Sequence, residues 1–236
     1  MNEKHHALNE KSQLDARVSE LVRIFSSECA NISKILDIGC GNGKITMLLK
    51  TCSCAQEACG IDADAESLKT AKKAGVKTFN LDLDEDTFPF ESNYFDAVVA
   101  GEVIEHLVNP DHLLDEAHRT LKQGGLFFIT TPNLSAWYNR VALLLGFQPF
   151  WTDVSTRFPD TGKVVAMGIG GKHLNDYHLR VFTYRALKEL LELHDFKIKN
   201  HLALAACTKN QLFDGIERLA SFINASSGML FVASKA

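Results

Sequence analysis

Three glycines at alternating positions, Gly39, Gly41 and Gly43, follow a run of branched aliphatic residues that also contains Asp37. A buried strand that ends in a glycine turn and opens a helix brings the backbone close to a nucleotide-like ligand, because a Cβ in the turn would hold that ligand away. The fingerprint for NAD binding needs a further glycine at position 44, where this chain has Lys44. The turn therefore predicts a nucleotide-like ligand and weakens the case for NAD.

Further carboxylates follow the next apolar segments. Asp62 ends the second predicted strand, where a ribose diol would need an acceptor of two hydrogen bonds. Asp82 begins the acidic loop after the third predicted strand. Taken singly, each acid could be a helix N-cap or a turn residue. Their joint occurrence, in this order after successive strands, is poorly explained by caps and turns alone.

A second polar group occupies the segment 102–106. The sequence predicts a helix here, which would place Glu102, Glu105 and His106 at positions i, i+3 and i+4 on one face. Two carboxylates and an imidazole could bind a divalent cation, or could remove the proton of a hydroxyl acceptor. In the alternative interpretation His106 only forms a wall of the site. We favour the interpretations without a metal.

The composition disfavours several classes of protein. A net charge of −4 and a pI near 6.1 argue against a chain that binds nucleic acid through its overall field. The six cysteines form no CxxC pair, so reduced thiols are expected rather than disulfides or a cysteine metal site. The polar N-terminus has no apolar signal core, and no run reaches the roughly 20 apolar residues of a membrane span. We expect a cytoplasmic protein, and the sequence indicates no oligomeric state.

Short apolar strands alternate with amphipathic helices up to residue 133, which predicts an α/β fold with a mostly parallel sheet covered on both faces. We expect a single domain over residues 1–236 with an N-terminal helical leader in residues 1–32. Residues 134–177 interrupt the alternation, as a lid or substrate cap would. A structural flap is the alternative. The candidate substrate contacts in this insertion are its aromatic residues Trp137, Tyr138 and Trp151.

Five segments carry a family resemblance. They read ILDIGCGNG (35–43), GIDAD (60–64), NLDLD (80–84), FDAVVAGEVIEHL (95–107) and LKQGGLFFITTPN (121–133). Their content, order and spacing resemble the class I S-adenosylmethionine-dependent methyltransferases, and among these the O-methyltransferases of ubiquinone synthesis. The resemblance implies a Rossmann-like, doubly wound sheet of seven strands. Six strands would be parallel, with a final antiparallel strand near residues 229–234.

The resemblance also implies S-adenosylmethionine as the cofactor, and it assigns residues to each part of that molecule. Glu102 would flank the sulfonium. The methionine part would lie on Asp37 and the backbone of the glycine turn, the ribose on the acid that ends the second strand, and the adenine on the acidic loop. The residues concerned are Asp37, Gly39, Cys40, Gly41 and Gly43 for methionine, Asp62 and Ala63 for ribose, and Asp82 and Leu83 for adenine.

The candidate catalytic residues are Glu105, His106 and His178. A group that methylates the 3′-terminal ribose of small RNAs has a similar spacing of glutamates and histidines, with a further histidine downstream, and His178 occupies a comparable place here. In that resemblance a metal would lie among Glu102, Glu105, His106 and His178. The favoured function is methyl transfer, through oxygen, to a small-molecule, lipid or sugar acceptor. The alternatives are a metal-dependent RNA 2′-O-methyltransferase, an NAD-dependent oxidoreductase and a non-catalytic cofactor-binding protein.

Overall fold

The computed structural model describes residues 16–163, 178–205 and 211–235. Seven strands form one sheet in this part of the chain. They are β1 (Lys34–Ile38), β2 (Glu57–Asp62), β3 (Lys77–Asn80), β4 (Phe95–Gly101), β5 (Leu121–Pro132), β6 (Phe196–Leu204) and β7 (Gly228–Lys235). Their order across the sheet is β3-β2-β1-β4-β5-β7-β6. Strands β1 to β5 pair in parallel, and β7 runs antiparallel to both β5 and β6. The predicted fold class, with one antiparallel strand at the end of the chain, is confirmed.

Helices cover the sheet on both faces. They are α1 (Ala16–Glu28), α2 (Lys44–Ser53), α3 (Ala65–Lys73), α4 (Pro110–Thr120), α5 (Trp137–Leu144), α6 (Tyr184–Leu193) and α7 (Gln211–Ser221). Successive strand residues point to opposite faces, and this alternation divides the core. Leu36 and Phe127 pack with residues of α4 and α6, whereas their neighbours Ile35 and Phe128 pack with residues of α1 and α2.

The helix predicted over residues 102–107 is wrong. The structure has only a single turn of 3₁₀ helix, Ile104–His106, after β4. Glu102 adopts a left-handed conformation with φ of 56°. A right-handed helix cannot continue through such a residue, so the argument that placed Glu102 on one helical face with Glu105 and His106 does not hold.

The predicted helical leader and the predicted cap both extend beyond the described residues. Residues 1–15 and 164–177 lie outside the described part of the chain, and the described parts of the two segments contain α1 and α5. The division into a leader, a single domain and a cap therefore stays a prediction. No helix in the described ranges is long and apolar enough to cross a membrane.

A histidine joins two helices on one face of the sheet. His194, which follows α6, has its Nδ1 2.8 Å from Asp115 and its Nε2 2.9 Å from Asp111, both on α4. Burial lowers the pKa of His194, but the hydrogen bonds and charges of the two carboxylates outweigh burial and raise it above its ordinary value. The stabilisation is therefore complete below the pKa of the unfolded chain, and it is lost as the pH rises through the folded pKa.

We expect His194→Gln to lower the free energy of unfolding by roughly 1 kcal/mol at about pH 5.5, a modest amount because both carboxylates are largely exposed and screened. At about pH 9 the loss should be much smaller, because the imidazole is then neutral in the parent. Urea unfolding at the two pH values measures this. In the His194→Gln background, Asp111→Asn should cost little further stability. An equal loss at both pH values would contradict the role of the imidazolium.

Candidate functional site

The glycine turn is tied to the end of the neighbouring strand. The backbone N–H groups of Gly39 and Cys40 both donate to the carbonyl of Ile61 in β2, at 2.8 and 3.0 Å. The N–H of Gly41 donates to Oδ2 of Asp62 at 2.7 Å. These bonds fix the path of the turn between β1 and α2, so its backbone is already shaped before a ligand binds.

Two of the glycines in the turn have different neighbours. Both have positive φ, 49° at Gly41 and 76° at Gly43. A Cβ added at Gly43 would lie 2.9 Å from the Cα of Ala71, whereas a Cβ at Gly41 would have no atom within 4 Å. Gly43 is therefore required for packing against α3. Gly41 faces open space, as the backbone of a binding site must.

Asp37 is a buried carboxyl group at the end of β1. It is 4% exposed, and its Oδ2 accepts a hydrogen bond of 2.5 Å from the hydroxyl of Thr46 in α2. Burial raises the pKa of Asp37 to about 7, an effect that Thr46 reduces and the charge of Asp62 increases. A cationic ligand beside this carboxyl would favour its ionised form.

Asp62 and Asn80 hold the ends of two adjacent strands. The carboxylate of Asp62 accepts from the N–H of Gly41 and, at 2.8 Å, from the N–H of Asp64. The side-chain amide of Asn80 donates to the carbonyls of Asp62 and Ala63 at 3.0 and 2.9 Å. Each carboxylate oxygen of Asp62 keeps a second lone pair, which leaves it able to accept from a ribose hydroxyl.

The remaining predicted cofactor contacts are backbone or loop positions. Asp82 is exposed, and its Oδ1 accepts from the N–H of Asp84 at 2.9 Å. The side chain of Leu83 is buried in the core, and the thiol of Cys40 is buried with its pKa raised to about 12 by burial. Cys40 and Leu83 could therefore meet a ligand chiefly through their backbone atoms.

Glu102 follows β4 and is paired with the first described helix. Its Oε2 lies 3.0 Å from the guanidinium of Arg17 in α1, and the two side chains are partly exposed. Among the described residues, the side chains close enough together to hold a metal ion are those of Glu105, His106 and His178, without Glu102. Glu102 therefore remains a candidate for the cofactor side of the site.

Glu105, His106 and His178 form a compact cluster. The Oε1 of Glu105 lies 4.0 Å from Nε2 of His106 and 4.0 Å from Nε2 of His178. The two imidazole rings stack with their centroids 4.8 Å apart. His106 is the more accessible, with 36% of its side chain exposed against 7% for His178.

The carboxyl of Glu105 is held from one side only. Its Oε2 accepts from the hydroxyl of Thr131 at 2.9 Å, while its buried Oε1 has no hydrogen-bond partner among the described residues. The backbone carbonyl of Glu105 accepts from the N–H groups of Leu179 and Arg180, which fixes the segment after His178. Burial, followed by the charge of Glu102, raises the pKa of Glu105 to about 8.

The three aromatic residues predicted to contact the acceptor take different places. The ring of Trp151 packs edge-on against His178, with centroids 5.4 Å apart, and its Nε1 donates to the hydroxyl of Tyr138. Tyr138 is itself 1% exposed. Trp137 packs on Phe213 and donates to Glu217 on α7. Of the three aromatic residues, Trp151 thus contacts the cluster directly, and Tyr138 holds Trp151 through their hydrogen bond.

Comparison with known proteins decides the family. Residues 10–201 match the family described as a methyltransferase domain, which covers most of the chain. The chain belongs to the S-adenosylmethionine-dependent methyltransferases. The prediction of S-adenosylmethionine as the cofactor is confirmed with it.

The methyltransferase is similar to curated and solved proteins of the family. The mitochondrial ubiquinone biosynthesis O-methyltransferase of Rattus norvegicus is 39% identical over 110 residues, which are 42% of this chain and 31% of that protein. A putative S-adenosylmethionine-dependent methyltransferase from Listeria monocytogenes has a TM-score of 0.64 at 16% identity, covering 94% of this chain and 97% of that one. The geranyl diphosphate C-methyltransferase of Streptomyces coelicolor has a TM-score of 0.59 at 12% identity, covering 98% and 82%. The matched stretch thus spans about a third of the length of the rat relative.

The residues at the glycine turn of this methyltransferase fit a nucleoside that carries a positively charged methionine. The backbone at Gly41 faces open space, and three carboxyl groups, those of Asp37, Asp62 and Glu102, lie at the ends of β1, β2 and β4. Carboxylates of this kind stabilise a cation and accept hydrogen bonds from a ribose.

Several residues of the site were not identified from the sequence. Thr46, Asn80 and Thr131 hold Asp37, the end of β2 and Glu105 in place, and Arg17 pairs with Glu102. The position of Thr46, one turn into the helix after the glycine turn, was a usable signal, because its side chain points back toward the preceding strand. Arg17 gave no signal, since it lies 85 residues from its partner.

We expect Gly41→Ala and Gly43→Ala to separate binding from folding. Both substitutions introduce strain at positive φ, about 1 kcal/mol. Gly41→Ala should weaken cofactor binding about tenfold or more with little further loss of stability, because its Cβ enters the space of the ligand. Gly43→Ala should instead destabilise the fold by about 2 kcal/mol or more.

Calorimetric titration with S-adenosylhomocysteine and thermal unfolding measure the two effects in the same samples. Gly75→Ala is a suitable control, because it shares the positive φ and the open surroundings at a site away from the turn. Equal cofactor affinity for Gly41→Ala and Gly75→Ala would show that Gly41 does not face the ligand.

Proposed function

We propose that the chain transfers the methyl group of S-adenosylmethionine to a hydroxyl oxygen of a small or medium-sized acceptor. The observation that carries the proposal is the cluster in which Glu105 and His106, just after β4, meet His178 from the segment before α6. A neutral amine already has a free lone pair and needs less help from a base than a hydroxyl, which must lose its proton. A buried carboxyl beside two imidazoles is suited to that task.

The location of the cluster supports this assignment. The strand order reverses between β1 and β4, and ligands of open α/β sheets bind at the carboxyl ends of strands where the order reverses. Asp37 ends β1 and the Glu105 cluster follows β4, so the cofactor side and the proposed acceptor side adjoin the same crevice. Methyl transfer depends mainly on positioning the acceptor in line with the methyl group.

In this proposal His106 accepts the proton, because its ring is the accessible member of the cluster. S-adenosylmethionine, when bound, supplies a methyl group activated by its sulfonium. The acceptor hydroxyl would give its proton to the imidazole of His106 while its oxygen takes the methyl carbon from the sulfonium sulfur, whose bond to that carbon breaks to leave a neutral thioether. The ionised form of Glu105 would stabilise the resulting imidazolium. His178 stacks on His106 and holds its orientation, while Trp151 packs against His178.

The relatives lend support to oxygen as the acceptor atom. The rat relative is named as an O-methyltransferase of ubiquinone biosynthesis, and it is more similar in sequence than the structural neighbour named as a C-methyltransferase of geranyl diphosphate. The fold itself does not select the acceptor. The acceptor atom can therefore be identified by testing a panel of compounds that differ in the nucleophilic atom.

We expect His106→Asn to lower kcat about 100-fold, because it removes the proton acceptor. Glu105→Gln should lower kcat by a similar factor, because it removes the carboxylate that stabilises the protonated imidazole. His178→Asn should cost about tenfold, through orientation alone. The cofactor affinity of all three should stay within about threefold of the parent. Release of S-adenosylhomocysteine in the presence of matched phenols, alcohols, amines and thiols measures the activity.

His112→Asn is the matched control, because its imidazole lies on α4 and bonds to the carbonyl of Asp86 instead of the cluster. In the parent, kcat should fall as the pH drops below about 8, because the Glu105 carboxylate becomes protonated, and this fall should be absent in Glu105→Gln. Methylation of amines or carbon acceptors only, with full activity in His106→Asn, would overturn the proposal.

A divalent cation in the same cluster is the second candidate. The buried Oε1 of Glu105 has no hydrogen-bond partner within the described ranges, and one oxygen and two imidazole nitrogens lie within 4.8 Å of one another. Carboxylate and imidazole form an acceptable donor set for Mn²⁺, Fe²⁺ or Zn²⁺. Such an ion would lower the pKa of an acceptor hydroxyl.

The residues that would hold the ion are Glu105, His106 and His178. Exhaustive dialysis against a chelator distinguishes the two candidates. Activity that survives dialysis supports the base, whereas activity that is lost and returns only with added cation supports the metal site. The acidic net charge gives no support to RNA as the acceptor.

A further inference from the structure

A separate cavity of about 570 Å³ lies beside the loop after β5. Its walls come from Ser135, from Arg140 on α5, from Thr183 and Arg185 at the start of α6, and from Ile223 after α7. None of these residues belongs to the glycine turn or to the Glu105 cluster. The cavity is therefore a second concave site, formed where three helices meet.

The charge of this cavity is one-sided. Arg140 and Arg185 both line it, and no aspartate or glutamate among the described residues does. Neither arginine forms a salt bridge with a carboxylate among the residues that the structure describes. In a chain with a net charge of −4, two guanidinium groups at one cavity without a carboxylate create a local site for an anion.

The hydrogen bonds at the rim leave donors for such an anion. The Nε of Arg140 donates to the carbonyl of Ser135 at 2.7 Å, which fixes the plane of the guanidinium and leaves its terminal nitrogens as donors. The hydroxyl oxygen of Thr183 accepts from the N–H of Ala186, so its own proton is available to donate. Guanidinium and hydroxyl donors together match the oxygens of a phosphate or carboxylate.

Exposed apolar side chains adjoin the charged part of the cavity. On α5, Leu144 lies one turn after Arg140 and is 85% exposed. Ile223 lines the cavity at 65% exposure, and its neighbour in the chain, Phe222, is 85% exposed. Large apolar side chains grouped at such exposure commonly mark a binding surface.

We propose that this cavity binds the anionic head of an amphiphilic ligand, with the apolar part of the ligand lying over Leu144, Phe222 and Ile223. The head is a phosphate or a carboxylate. The arginines bind it through charge-assisted hydrogen bonds, and the exposed apolar side chains lose contact with water when the chain of the ligand covers them. The site shares no residue with the cofactor or proton-transfer groups.

Titration calorimetry of the full chain with decyl phosphate, without cofactor or acceptor, tests the proposal. Decyl phosphate should bind at least about tenfold more tightly than inorganic phosphate, because of its apolar chain, and more tightly than neutral decanol, because of its charge. The double substitution Arg140→Gln and Arg185→Gln should weaken binding of decyl phosphate about tenfold or more. Leu144→Ser should reduce the advantage of decyl phosphate over inorganic phosphate.

Arg157→Gln is the matched control, because Arg157 is also exposed and lies beside an exposed aromatic residue, Phe158. Its affinity for decyl phosphate should be unchanged. Thermal unfolding of each variant confirms that the fold is retained. Unchanged binding in the double variant, or decanol binding as tightly as decyl phosphate, would overturn the anion site. Inorganic phosphate binding as tightly as decyl phosphate would overturn the amphiphile.

Discussion

The carboxyl group of Asp37 lies buried at the end of β1, with the hydroxyl of Thr46 as its side-chain hydrogen-bond partner. A carboxyl removed from water is costly to ionise, and burial accordingly raises the pKa of Asp37 to about 7. The glycine turn follows Asp37 in the chain, and α2 supplies the Thr46 hydroxyl that binds it. The turn is itself held by the hydrogen bond from Gly41 to Asp62. A cationic ligand that binds beside this carboxyl favours its ionised form and so offsets the free energy of burying the charge.

The sheet order decides which other groups reach the same place. Because β1 and β4 are neighbours and their helices lie on opposite faces, a crevice opens between their carboxyl ends. Glu102 turns the chain there with a left-handed conformation, and the short turn that follows presents Glu105 and His106 to His178 from a distant segment. The β1 side thus carries Asp37 and the glycine turn, whereas the β4 side carries Glu102 and the cluster of Glu105 with the two imidazoles. This separation is consistent with a cationic methyl donor on one side and a proton-bearing acceptor on the other.

The parts of the site that could be predicted are those set by local sequence patterns. The glycine turn, Asp62 and the strand pattern follow from spacing and hydrophobic alternation, which local geometry enforces. The turn at Glu102 was mistaken for a helix, because helical spacing of Glu102, Glu105 and His106 does not show that the first of them has positive φ. Arg17 and Thr131 were missed since their partners are brought near by the tertiary fold. Trp137 and Tyr138 are residue types that are common at binding surfaces. In the structure Trp137 packs against α7, and the hydroxyl of Tyr138 accepts a hydrogen bond from Trp151.

The most direct test of the account is the pH dependence of S-adenosylhomocysteine affinity in the parent and in Asp37→Asn. The parent should bind about tenfold more tightly at pH 8 than at pH 6, because a carboxyl with a pKa of about 7 ionises over this range and the ligand carries an ammonium. Asp37→Asn should bind more weakly at pH 8 and show little dependence on pH. Its fold should be more stable than the parent at pH 8, because the buried charge is gone. Equal affinity and equal pH dependence in the two proteins would contradict the central role of Asp37.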